Sequence, residues 1–109
     1  MASKWYKKLC EALNTDARDA LGDGVIAITP DPQGTFVGVA MVGDYRASAH
    51  IWTPRVDKRS AATHDMRTDM WEGLRRHLAG EIPKYNPESV ARSRPLLRHL
   101  ATMTATMRA

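Results

Sequence analysis

The sequence predicts an α+β fold, a three-stranded antiparallel β-meander packed with three helices in the order α-β-β-β-α-α. Two observations carry that prediction. The β-branched residues concentrate between positions 24 and 53, a stretch with turn signals at Pro30–Gly34 and Gly43–Asp44 and charge only at Asp31, Asp44 and Arg46. The segments on either side repeat apolar residues at helical spacing instead.

At 109 residues the chain fits a single α+β domain, 1–109, with a modest core. Its hydrophobic share of 43% and charged share of 26% are those of an ordinary globular chain. No apolar run approaches the roughly 20 residues that a bilayer requires. The basic start, Met1 to Lys8, is not followed by the long apolar stretch of a secretory signal, so a cytoplasmic protein with no membrane contact is expected. Cys10 is the single cysteine, which excludes an intramolecular disulfide. The formal charge of +4 is uneven. Residues 1–54 carry five Lys/Arg against six Asp/Glu, whereas 55–109 carry eleven against six, and nine of those eleven are Arg. The arginine fork suits carboxylate or phosphate better than a lysine point charge does, although a GC-rich genome also enriches Arg.

The first helix is expected from a cap at Ser3 to about Leu21, where Gly22 stops it. Trp5, Tyr6, Leu9, Cys10, Leu13, Ala17, Ala20 and Leu21 share its apolar arc, with Asp16 at the arc's edge. Cys10 reads there as a small buried hydrophobe rather than a nucleophile.

In the meander, Gly43-Asp44 reads as a two-residue hairpin loop that sets Val42 opposite Tyr45. One face then holds Phe36, Gly38, Ala40 and Val42 against Ile51, Ala49, Ala47 and Tyr45, a small-residue saddle for a helix. Pairing Thr29 with Thr35 adds Ile26 and Ile28 to that face. The other face carries Val25, Ala27, Thr29, Val37, Val39, Met41, Arg46, Ser48, His50 and Trp52. With an apolar centre and a polar, aromatic edge, it is either covered by helices or meets a partner.

A second helix is expected from a cap at Thr63 or Ser60 to near Gly80, with Met66, Met70, Trp71, Leu74 and Leu78 on its apolar arc. Glu72 can pair with Arg75 and Arg76 as a solvated ladder. Arg67 falls in the middle of the apolar arc, so it must snorkel, pair with a buried carboxylate or reach a ligand. The main part of the third helix is expected to begin near Ser93 or Arg94, after a short turn around Glu88 to Arg92, because Pro95 is comfortable only in a first turn. Leu96, Leu97, Leu100, Met103 and Met107 form its apolar stripe, with Arg94, Arg98 and Arg108 beside them.

Candidate chemistry is sparse. His64, Asp65, Asp69 and Glu72 are the only local set with metal-ligand residue types, but Arg76 shares their face and no HExxH or Cys/His pair is present, so no metal or other cofactor is expected. No serine elbow, phosphate loop or dinucleotide fingerprint occurs, and His50, His64, His77 and His99 have no assignable orienting partner. No catalytic residue and no enzyme activity are expected.

The order helix, three strands, helix over roughly residues 3–80 resembles that of the double-stranded RNA-binding domain. Lys58-Arg59 stand before the second helix, where that family places basic residues. The family's Lys-Lys-x-x-x-Lys pattern at the helix start is replaced here by Ser60-Ala61-Ala62-Thr63-His64-Asp65. That resemblance implies binding to double-stranded RNA with Lys58 and Arg59 at the second helix. Separately, clustered cations make phosphate contact with RNA or DNA the alternative expectation, through Lys58, Arg59, Arg94 and Arg98. The leading expectation is instead a small non-enzymatic inhibitor or adaptor of the phage or plasmid type. It would occupy a protein or nucleoprotein partner through Trp52, His50, Arg46, Arg94, Arg98 and Arg108.

Overall fold

The computed structural model describes residues 4–30, 37–43, 50–52, 63–84 and 86–109, with side chains described outside 4–6 and 50–52. Three helices and an antiparallel sheet make an α+β fold. Helix α1 spans Lys4–Leu21 and buries Leu9, Cys10, Leu13 and Ala17. It ends at Gly22, which takes φ 93° while its N–H donates to the Arg18 carbonyl at 2.9 Å, a left-handed cap that a Cβ would disfavour. The expected cap, Ser3, lies outside the described residues.

Strands β1 (Ile26–Pro30) and β2 (Val37–Met41) pair antiparallel, and a three-residue segment, β3 (His50–Trp52), pairs with the far side of β2. The register corrects the sequence reading. Thr29 faces Gly38 and Ile28 faces Val39, so the strands are offset by three residues from a Thr29–Thr35 pairing. An odd offset exchanges faces. Ile26 and Ile28 therefore share a face with Val37, Val39 and Met41, and these first four are 7, 2, 0 and 1% exposed. The face expected to be outer on β2 is the core face. Gly38 and Ala40, assigned to a helix-receiving saddle, lie instead beside Ala27 and Thr29 on the opposite face. The physical reason is that this register gathers four β-branched residues against the helices, whereas the expected one divided them between two faces.

Between β2 and β3, Gly38 faces Ile51 rather than Ala49, an even offset that leaves faces unchanged. His50 and Trp52 stand opposite the buried Val39 and Val37. The expected hairpin pairing of Val42 with Tyr45, and Arg46 with it, falls outside the described residues.

Helix α2 spans His64–Glu81, and the Thr63 hydroxyl caps it by accepting from the Met66 N–H at 3.2 Å. A 3-10 turn, Ile82–Lys84, leads to α3, which spans Pro87–Arg108. The start of α3 is a second correction, since it precedes Ser93 by nearly two turns. Asn86 caps it, its side-chain oxygen accepting from the Ser89 N–H at 2.8 Å, and Pro87 takes the first helical position. Pro95 consequently lies inside the helix. It removes the N–H that would bond the Ala91 carbonyl, but Ala91 is exposed and water can take that bond. Burial of Ser93, Leu96, Leu100 and Met103 on both sides of the proline offsets its cost.

Helix α1 lies on β1, α3 packs against α1 and α2, and all three helices share one core cluster with the inner face of the sheet. Trp71, fully buried, is the largest side chain in it.

Candidate binding surface on helices α2 and α3

Two ion-pair centres tie the helices together, and they differ in what they leave over. The first is internal. Arg67 sends Nε to Asp16 Oδ2 at 2.7 Å and Nη2 to Oδ1 at 3.2 Å, a bidentate bridge from α2 to α1. The Trp71 indole N–H adds a bond to Asp16 Oδ2 at 3.2 Å. Both side chains are mostly covered, 18% exposed for Arg67 and 11% for Asp16. The odd polar residues of two apolar arcs thus satisfy each other, and the charges cancel.

The second centre is at the surface between α2 and α3. Glu72, only 8% exposed, sits among three arginines. Arg76 Nη2 donates to its Oε1 at 2.8 Å, Arg75 Nη2 lies 3.7 Å from the same oxygen, and Arg108 Nη2 reaches Oε2 from the end of α3. Three cations against one anion leave a surplus of two positive charges. Beside this cluster, the His64 imidazole bonds through Nε2 to the Met107 carbonyl at 2.9 Å. The start of α2 therefore holds the last turn of α3, satisfying a carbonyl that the helix end leaves open.

Arg94 and Arg98 are exposed on α3, one turn apart, and form no salt bridge among the described residues. Arg92, their neighbour, lies 3.6 Å from Glu88. Of the residues expected at a site, the structure brings Arg94, Arg98 and Arg108 onto one helix and places Arg108 on Glu72. His50 and Trp52 lie on β3, which pairs with β2. Arg46, Lys58 and Arg59 lie outside the described residues. Glu72, Arg75 and Arg76, expected as a solvated ladder, form instead a cluster that Arg108 completes from α3. The pairing of Glu72 within α2 was legible from spacing, but no local pattern tells which residue arrives from another helix.

Other chemistry is limited among the described residues. No group of three or more His, Cys, Asp or Glu side chains converges as a metal site. Asp65 and Asp69 are exposed while Glu72 is turned onto the arginines. Cys10 is 3% exposed, and burial pushes its thiol up to about 11, away from the reactive thiolate. No described helix is long and apolar enough to cross a membrane. No protein-family model, curated protein or solved structure matches the chain.

Proposed function

We propose that this chain is a non-enzymatic binding protein, an inhibitor or adaptor that occupies a surface of a larger protein or nucleoprotein partner. The observation that carries this reading is the exposed ridge of α3. Arg94 and Arg98 stand there without a salt bridge among the described residues, flanked by exposed Ala91, Ala101 and Ala105. Like charges one turn apart disfavour a helix by a few tenths of a kcal/mol, so the pair does nothing for the fold in isolation. Small neighbours let a partner approach the guanidinium groups closely, and the arginine fork rewards a carboxylate or phosphate that does so. In this reading the sheet is a full three-stranded meander that supports the helices, and the contact is made by α3 rather than by the sheet edge.

The test is affinity capture from the native host lysate with the wild-type chain and with R94E/R98E, each with and without nuclease. The reading predicts a specific captured partner that the double variant loses at an unchanged melting temperature. Equal capture by both proteins contradicts it.

A further inference from the structure

Resting on that binding reading, we propose that the arginine cluster around Glu72 is a phosphate-contact site, and that the partner presents the backbone of a nucleic-acid strand to it. The cluster has three features of such a site. It is overcharged, since Glu72 supplies the only carboxylate within salt-bridge distance of Arg75, Arg76 or Arg108 among the described residues. It is preorganised, because Glu72 is held 8% exposed and fixes the arginines around it before any ligand arrives, which reduces the ordering cost of binding. It is reachable, with the Arg76 and Arg108 side chains 71% and 56% exposed and most of their N–H donors unused. Arginine forks match phosphate oxygens two at a time, so the unused donors have a geometric complement.

The extent of the positive surface points to a strand rather than a single small anion. At 100° per residue, Arg94, Arg98 and Arg108 fall within an arc of about 80° on α3, and they span about 21 Å of its axis. Arg108 joins that line to Arg75 and Arg76 at Glu72. A line of cations of this length meets several successive phosphates, and affinity built that way releases counterions.

Fluorescence anisotropy of a labelled 20-nucleotide strand, single and duplex, measures the consequence between 50 and 200 mM salt. R75Q/R76Q is compared with K7Q/K8Q, which removes the same charge from an exposed part of α1. The proposal predicts binding that weakens steeply with salt. It predicts that R75Q/R76Q lowers the slope of log K against log salt by between one and two, at about 0.7–0.9 per lost phosphate contact. K7Q/K8Q is predicted to leave that slope near the wild-type value. Circular dichroism melting checks both proteins, and R75K/R76K, which keeps charge but not the forks, replaces the Gln pair if that pair unfolds. Binding should then fall at least severalfold. Absence of oligonucleotide binding at 50 mM salt, equal losses in the two variants, or equal affinity for polyglutamate overturns the proposal. Capture of a nuclease-resistant partner combined with no oligonucleotide binding overturns this inference and leaves the binding reading standing.

Discussion

Arg67 shows how far a single residue can be read from the chain. Its place in the middle of an apolar arc demanded a buried carboxylate, a snorkelling path or a ligand. Asp16, at the edge of the α1 arc, supplies the carboxylate at 2.7 Å. The demand was legible in the sequence, but its answer was not, because 51 residues separate the pair and only the packing of α2 against α1 joins them. Removing one partner strands the other in a covered site. D16A should therefore cost about 3–5 kcal/mol in chemical denaturation. The double variant D16L/R67M should cost clearly less than the sum of D16L and R67M, since no charge is then left unpaired. Additive losses would show that the bridge contributes no coupling. Cys10 gives a second test at this scale. Its thiol is raised to about 11, so the neutral form is favoured in the fold. Stability from that preference is complete below the unfolded thiol pKa, near 8.5–9, and is lost as pH rises toward 11. At pH 8, Cys10 should react with a thiol reagent orders of magnitude more slowly in the folded chain than in denaturant, and rapid reaction of the native protein would contradict its burial.

At the scale of elements, the helices were more legible than the sheet. Apolar periodicity, Gly22 and Thr63 marked α1 and α2 closely, because a helix is specified by residues near one another in sequence. Pro95 alone points to a helix start near Ser93, but the Asn86 cap and the first-position Pro87 outweigh an interior proline whose lost bond faces water. Strand register depends on which residues of distant segments meet, and an odd error in the β1–β2 loop reversed the sheet's faces. One device at the sheet's edge was also invisible from sequence. The Asn14 amide donates to the Ile28 carbonyl and accepts from the Ile28 N–H, both at 2.8 Å, so α1 occupies the backbone groups that β1 turns away from β2. With Pro30 lacking an N–H two residues on, that edge offers little to another strand. N14A should cost about 1–3 kcal/mol by stranding two backbone groups. It should also raise the tendency to associate through the freed edge, as read by light scattering. Unchanged stability and scattering would show that the amide is dispensable.

For the molecule as a whole, the sheet and the helix surface have exchanged prominence. The sequence drew attention to an apolar outer sheet with Trp52 at its edge, but Val37 and Val39 of that face are in the core, and Trp52 stands opposite Val37. Among the described residues, α2 and α3 form a surface with surplus positive charge, where Arg75, Arg76 and Arg108 surround Glu72 and where Arg94 and Arg98 line an alanine ridge. Half of that surface, the α3 stripe, was legible from spacing, and the other half required the meeting of two helices. The most direct measurement compares R94E/R98E and W52A with the wild-type chain in partner capture and in melting temperature together. The account predicts that R94E/R98E abolishes capture with its melting temperature unchanged, and that W52A lowers the melting temperature. Capture lost only in W52A, at an unchanged melting temperature, would contradict it and return the interface to the sheet.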